Sequence, residues 1–70
     1  MPLAELLQNR LREAREGLGL TQGQLAELVG VSRKTINTVE NGIFVPSTVI
    51  ALKLARALNE PVERLFSLTE

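Results

Sequence analysis

Residues that begin and end helices divide this chain into short segments. Ser and Thr oxygens cap helix N-termini, and Gly or Asn in a left-handed conformation ends helices. Such residues stand at Thr21, Gly30, Ser32, Gly42, Ser47 and Asn59. No interval between them is longer than about three helical turns, and isolated helices of that length are unstable in water. The chain is therefore expected to pack several short helices around one core.

The first two helices are predicted from apolar spacing and from a capping pattern. Leu residues and one Ala recur at spacings of four and three, which places them on one helical line, at Leu3, Leu7, Leu11, Ala14 and Leu18. This helix should end near Glu16 or Gly17. Thr21 and Gln24 have the spacing of a capping box, so a second helix begins at Gln22 and stops at Gly30.

Three more helices follow from the same signals. Ser32 caps a third helix over residues 33–41, and Ser47 caps a fourth over residues 48–58, closed by Asn59. Pro61 opens a short fifth helix that runs through about Phe66. No segment alternates polar and apolar residues, so no strand is expected. The predicted fold is all-α, a five-helix bundle.

The length and the amino-acid composition exclude most catalytic chemistry. Seventy residues predict one domain over residues 1–70. The chain has neither Cys nor His, which removes the common nucleophile, zinc and general-base sites. A chain this small cannot enclose a large substrate pocket. We therefore expect no enzyme activity, no catalytic residue, no metal and no cofactor.

The charges and the N-terminus limit the possible partners and location. Eight basic residues balance eight acidic ones, so the net charge is zero and DNA binding would need local basic patches. The N-terminus has no basic region of the signal-peptide type, and no apolar run is long enough to span a membrane. A cytoplasmic protein without a membrane partner is expected.

Residues 22–41 combine two short helices with a turn of three residues. Ala26 permits a close helix crossing, Gly30 supplies the turn, and Ile36 with Val39 fills the wedge between the helices. This is a helix-turn-helix pattern. On the third helix, Ile36 and Val39 share one face, and the opposite face is polar.

The chain resembles the phage repressor and Cro-like helix-turn-helix family of transcriptional regulators, also called the xenobiotic-response-element type. The shared motifs cover about residues 7–66 and are Leu20-Thr21-Gln22, Leu25-Ala26, Val29-Gly30-Val31-Ser32, Thr35-Ile36, Glu40-Asn41-Gly42 and Pro46-Ser47. The resemblance implies a five-helix domain of the lambda-repressor-like type. It also implies that residues 33–41 form the DNA recognition helix.

DNA contacts are expected from the polar face of that helix and from its two ends. Amide, hydroxyl and cationic groups can form hydrogen bonds with base edges in the major groove. The predicted base contacts are therefore Arg33, Lys34, Asn37 and Thr38. By resemblance, Gln22 is a phosphate contact, and Ser32 and Asn41 are assigned to phosphates as well. The loop Ile43-Phe44-Val45 lacks the polar groups that relatives often have there, so weaker binding to the DNA phosphates is expected.

Glu40 falls toward the core side of the third helix, where an unpaired carboxylate would be costly. By resemblance, Arg15 on the first helix pairs with it and fixes the third helix against the first. Arg10, on the other flank of the first helix, is the alternative partner.

The fourth helix is apolar nearly all round, and one small domain cannot bury all of it. Together with the apolar loop before it, this helix predicts a homodimer interface at Ile43, Phe44, Val49 and Ile50. The competing explanation is burial under a C-terminal tail that contains Phe66 and Leu68.

Two functions remain open from the sequence. The first is a sequence-specific DNA-binding regulator, a repressor, that binds double-stranded DNA as a homodimer. The second is a protein-interaction module on the same scaffold, such as an antitoxin that binds a toxin or a partner of the transcription machinery. The neutral charge and the apolar loop favour the second function, and the polar face of the third helix favours the first.

Overall fold

A computed structural model describes residues 3–69, so the first two residues and the last residue of the range expected for the domain lie outside the described residues. The first described element is a 3-10 turn at Leu3–Leu6, and strand β1 follows at Leu7–Asn9. Among the described residues, five helices come next, and strand β2 is the last element. Their bounds are α1 Leu11–Gly17, α2 Gln22–Val29, α3 Arg33–Glu40, α4 Thr48–Leu58, α5 Val62–Leu65 and β2 Phe66–Leu68.

The capping residues place α2, α3 and α4 where the sequence predicts them. The Thr21 hydroxyl accepts a hydrogen bond from the Gln24 amide, and the Gln24 side chain accepts one from the Thr21 amide, which completes the capping box. Ser32 and Ser47 cap the next two helices. Gly30 ends α2 with a φ of 81° that suits a residue without a Cβ. The prediction of five helices is confirmed.

One apolar cluster joins all five helices and the end of the chain. Its buried members are Leu11, Leu25, Ala26, Val29, Ile36, Val39, Leu54, Leu58, Leu65 and Phe66. Because α2 packs against both α3 and α4, it lies at the centre of the arrangement. The core thus fixes the inner face of α3 and leaves the other face of that helix free.

The prediction of a first helix running from Leu3 is wrong, as is the expectation of no strand. Leu7 pairs with Leu68 and Asn9 with Phe66 in an antiparallel two-stranded sheet, and α1 starts only at Leu11. The Asn9 Oδ1 accepts a hydrogen bond from the Leu11 amide, which marks the change from strand to helix. Local spacing of leucines could not reveal pairing with a strand at the other end of the chain.

The end of the fifth helix also differs from the prediction. Pro61 precedes the helix, and Phe66 already belongs to β2 and to the core. Leu68 is exposed, and Val49 is exposed as well, so the C-terminal tail does not cover α4. No helix among residues 3–69 is both long and apolar enough to cross a membrane.

Candidate nucleic-acid interface

Helix α3 is fixed on one side and open on the other. Ile36 has no exposed surface and Val39 almost none, and both pack in the core. Arg33, Lys34 and Asn37 are exposed on the outer side. Because the apolar residues hold the rotation of the helix, the outer side chains project in fixed directions from a rigid support.

Two of the predicted base contacts are free of ion pairs within the described part of the chain, and a third is partly committed. Neither Arg33 nor Lys34 takes part in a salt bridge among residues 3–69. The Thr38 hydroxyl donates to the carbonyl oxygens of Lys34 and Thr35, at 3.1 and 3.0 Å. Thr38 can therefore only accept a hydrogen bond from a ligand or present its methyl group.

The two ends of α3 carry side chains that are already hydrogen-bonded. The Ser32 Oγ accepts from the Thr35 amide at 3.1 Å and lies 2.9 Å from the Thr35 hydroxyl. At the other end, the Asn41 Nδ2 donates to the Asn37 carbonyl oxygen at 2.9 Å and to Asn37 Oδ1 at 3.3 Å. Asn41 thereby links the exposed residue Asn37 to the C-terminus of the helix.

The structure brings Glu40 and Arg15 together between α3 and α1. The Arg15 Nε lies 2.7 Å from Glu40 Oε2, and the Arg15 Nη2 lies 3.2 Å from Glu40 Oε1. Arg15 also donates from Nη1 to the Leu20 carbonyl oxygen at 2.8 Å, just before α2. A guanidinium with both fork positions on one carboxylate fixes angle as well as distance, so this pair aligns α3 with α1.

Charge and burial oppose each other at this pair. Burial alone would raise the pKa of Glu40, but the hydrogen bonds from Arg15, Gln22 and Arg12 outweigh it and hold that pKa below its ordinary value. The hydrogen bond to Glu40 raises the pKa of Arg15 in turn, against the effect of burial. Both groups are therefore charged at neutral pH.

Gln22, one of the three predicted phosphate contacts, lies in the same network. Its Nε2 donates to Glu40 Oε1 at 3.1 Å, and the residue is half-buried at the start of α2. An amide nitrogen carries two hydrogens, so one remains for another acceptor. Glu40 thus orients a side chain that sequence reasoning treated independently of it.

The alternative prediction, that Arg10 pairs with Glu40, is wrong, and the sequence analysis missed the contact of Arg12 with Glu40. Arg10 pairs with Glu13, one helical turn along α1, at 3.2 Å. Arg12 instead lies 3.4 Å from Glu40 and 3.4 Å from Asn41 Oδ1. Residues three apart share a helix face, so the spacing of Arg12 and Arg15 was the signal available in the sequence.

Comparisons with known proteins settle the family. The helix-turn-helix family model matches residues 11–65. The chain belongs to the phage repressor and Cro-like helix-turn-helix family of transcriptional regulators. It is 51% identical over 61 residues to an uncharacterized HTH-type transcriptional regulator of Methanothermobacter thermautotrophicus, covering 86% of this chain and 88% of the relative.

Two further proteins are similar over most of their length. The HTH-type transcriptional regulator YgzD of Bacillus subtilis is 39% identical over 64 residues, which cover 91% of this chain and 97% of the relative. The restriction-modification controller protein C.AhdI of Aeromonas hydrophila superposes with a TM-score of 0.75 at 44% identity, covering 79% of this chain and 83% of that one. The matches thus cover most of both chains for two relatives named transcriptional regulators and one named a controller protein.

This helix-turn-helix protein also exposes apolar side chains in the loop after α3 and on α4. Ile43 is 71% exposed, Phe44 45% and Val49 61%. Leu52, one turn beyond Val49, is exposed too. We call these four residues the apolar surface. Ile50, predicted to belong to it, is instead partly buried against the core.

Proposed function

We propose that this helix-turn-helix protein is a cytoplasmic, sequence-specific DNA-binding repressor that acts as a homodimer and has no enzymatic activity. Residues 1–70 would act as one domain, and α3 would lie in the major groove of the DNA. The observation that carries the proposal is the outer face of α3. There Arg33 and Lys34 are exposed beside Asn37, on a helix whose opposite face is locked in the core.

The chemistry of that face fits base recognition. Arg and Lys donate to the O6 and N7 atoms of guanine, and Asn can donate to and accept from adenine. Thr38, whose hydrogen is already used, would accept from a base amino group or contact a thymine methyl group. Arg33, Lys34, Asn37 and Thr38 are therefore proposed as the base contacts.

Backbone contacts would set the position of α3 in the groove. The free Nε2 hydrogen of Gln22 and the hydrogen-bonding groups of Ser32 and Asn41 lie at the N-terminus of α2 and at the two ends of α3. Contacts to phosphate from such places fix register and orientation, although they carry no sequence information. These three polar residues would bind the phosphates without a free cation, so their contribution to DNA affinity would be modest. Binding of a second half-site by a second protomer would raise the affinity.

The apolar surface is proposed as the homodimer interface. Exposed apolar residues at the start of α4 and in the preceding loop would be removed from water by a second copy. The Ile50 side chain would add to the contact only at its exposed part. If the dimer is two-fold, its recognition helices would lie about 34 Å apart, and the operator would be an inverted repeat with that spacing.

Selection of duplexes from a random-sequence library, followed by gel-shift titration, tests the proposal. We expect an enriched inverted repeat whose two half-sites are about one helical turn apart. Repression requires only that the bound protein occupy a promoter, and a reporter with this repeat across its promoter tests that step. A library that yields no enriched sequence would overturn the proposed function.

The second candidate is a protein-interaction module, such as an antitoxin or a partner of the transcription machinery. The observation that favours it is the loop at Ile43 and Phe44, which places apolar groups where a phosphate-binding loop would carry polar ones. The similarity to C.AhdI, a restriction-modification controller, favours DNA-binding regulation instead. A chain that enriches no DNA sequence but binds a protein encoded by a neighbouring gene would support the second candidate.

A further inference from the structure

One oxygen of the Glu40 carboxylate accepts more hydrogen bonds than it has lone-pair positions. Oε1 accepts from Gln22 at 3.1 Å, from Arg15 at 3.2 Å and from Arg12 at 3.4 Å, whereas among residues 3–69 Oε2 accepts only from Arg15, at 2.7 Å. A carboxylate oxygen offers about two lone-pair positions. The third donor on Oε1 is therefore surplus, and the longest of the three bonds belongs to Arg12.

Arg12 is held much less firmly than Arg15. The Arg12 side chain is 55% exposed, whereas the Arg15 side chain is 10% exposed. The second bond of Arg12, to Asn41 Oδ1, is also 3.4 Å long. Long, exposed hydrogen bonds contribute little to stability, so another acceptor could replace either bond at small cost.

Within this hydrogen-bonded group, two arginines share the carboxylate of Glu40. Glu40 carries one negative charge, and Arg15 already neutralises it with two hydrogen bonds to the two oxygens. Arg12 then adds a positive charge without a carboxylate of its own. Arg10 and Arg64, by contrast, each have a separate glutamate partner, namely Glu13 and Glu60. Arg12 is thus an incompletely neutralised cation on this side of α1.

The position of this cation matches the predicted path of the DNA backbone. Arg12 touches Glu40 and Asn41 at the C-terminal end of α3, and Gln22 donates to the same Glu40 oxygen from the start of α2. Asn41 and Gln22 are two of the proposed phosphate contacts. A phosphate that approaches either amide would meet the exposed guanidinium of Arg12.

We propose that Arg12 is a phosphate-binding residue that moves its hydrogen bonds from Glu40 and Asn41 to a DNA backbone phosphate. This inference rests on the DNA-binding function proposed above. Arg15 and Gln22 keep Glu40 satisfied when Arg12 leaves, and Asn41 is exposed, so water can replace the lost donor there. Arg12 supplies the cationic backbone contact that the apolar loop after α3 lacks.

The salt dependence of DNA binding tests the proposal with Arg12→Gln and a matched control. Each phosphate neutralised by a cation contributes about 0.9 to the slope of log affinity against log salt. Arg12→Gln should lower that slope by about 0.9 per bound protomer and weaken binding about eightfold per protomer near 0.1 M salt. The loss should be equal on the selected duplex and on a scrambled duplex of the same length, because phosphates carry no sequence information.

Arg10→Gln is the control, since it removes the same charge from the same helix but from the exposed pair with Glu13. It should leave the slope unchanged, and Arg12→Lys should keep most of it, because an ammonium group also binds phosphate. An unchanged slope in Arg12→Gln, or an equal loss in Arg10→Gln, overturns the proposal. A variant Arg12→Gln that is unfolded by circular dichroism also overturns it, since Arg12 would then be a structural partner of Glu40.

The scrambled duplex separates this inference from the proposed function. If the wild-type chain enriches no sequence but Arg12→Gln still lowers the slope on scrambled DNA, the phosphate contact stands and the proposed sequence specificity fails. If the wild-type chain selects an operator and the slope of Arg12→Gln is unchanged, the proposed function stands and the contact fails. A wild-type chain that binds neither duplex overturns both.

Discussion

Helices α3 and α4 both pack against α2, but they are held and exposed in opposite ways. α3 is fixed by two apolar residues and by the ion pair of Glu40 with Arg15, and its outer face is polar. α4 is fixed by aliphatic residues alone, and its outer face keeps Val49 and Leu52 in water. A polar outer face suits base edges, whereas an apolar outer face suits another protein surface.

The two modes of attachment also differ physically. Apolar burial is non-directional and insensitive to pH, so the attachment of α4 does not depend on the charge of a side chain. A forked ion pair is directional and depends on the charge of Glu40, so it fixes the angle of α3. The helix that is proposed to contact the bases is thus the helix with the directional attachment.

The largest expected effect comes from removing one partner of the ion pair. Glu40→Ala should lower the free energy of unfolding by on the order of 3 to 5 kcal/mol, because Arg15 would remain buried without its carboxylate. Urea unfolding measures this loss. The double variant with Arg15→Ala should lose less than the sum of the two single losses. Additive losses would show that the two residues do not stabilise α3 together.

A smaller effect, on binding instead of stability, is expected on the outer face of α3. Arg33→Ala and Lys34→Ala should each weaken operator binding by about 1 to 3 kcal/mol, because each removes a proposed base contact. Their free energies of unfolding should stay within about 0.5 kcal/mol of the wild type. Lys53→Ala, an exposed cation of α4, is the matched control and should bind as the wild type does. Unchanged operator affinity in both variants would show that Arg33 and Lys34 do not contact the bases.

Acid should weaken the attachment of α3 but not that of α4. The lowered pKa of Glu40 means that its contribution is fully present above its ordinary pKa near 4.5 and is lost as the pH falls through the lower pKa of the folded state. The loss should be smaller than that in Glu40→Ala, since a neutral carboxyl group still accepts hydrogen bonds.

Urea unfolding between neutral and acid pH measures this dependence. Glu40→Gln should flatten the acid limb of the stability curve. Leu54→Ala, which removes a buried residue of α4, should be less stable at every pH but should keep that limb. If the stability of Glu40→Gln falls as steeply with acid as that of the wild type, other carboxylates cause the pH dependence.

The smallest effect on stability, with a large effect on assembly, is expected at the apolar surface. At a concentration low enough that both proteins are monomers, Val49→Glu should change the free energy of unfolding by no more than about 0.5 kcal/mol, because the residue is exposed in the single chain. It should nevertheless abolish the proposed dimer in light scattering. Leu28→Glu, which replaces an exposed leucine of α2, is the control and should remain dimeric. A monomeric wild-type protein at high micromolar concentration would exclude this interface.

The accuracy of the sequence analysis varies with the range of the interactions. The start and end of α2 and α4 were predicted to the residue because a cap is a contact between neighbours in the chain, such as Thr21 with Gln24. The N-terminal strand was missed, since Leu7 pairs with Leu68 and a periodicity of local leucines contains no information about that partner. Helical spacing of leucines also arises where a strand and a helix both turn one side toward the same core.

The candidate site shows the same division. The outer face of α3 followed from the helical wheel, because Ile36 and Val39 determine which side is buried. The wheel could not show that Gln22 and Arg12 share an oxygen of Glu40, because these side chains meet only after three helices pack. The DNA-contacting roles of Arg33, Lys34, Asn37 and Thr38 stay predictions.

The sequence by itself determined the helices with clear caps, the side of α3 that faces the core and the helix-turn-helix family, since all three depend on residues close together in the chain. Only the tertiary structure decided that β1 and β2 form a sheet, and that two arginines and a glutamine converge on Glu40. Those contacts join residues far apart in sequence. Their geometry is set by the packing of whole elements, which no local pattern records.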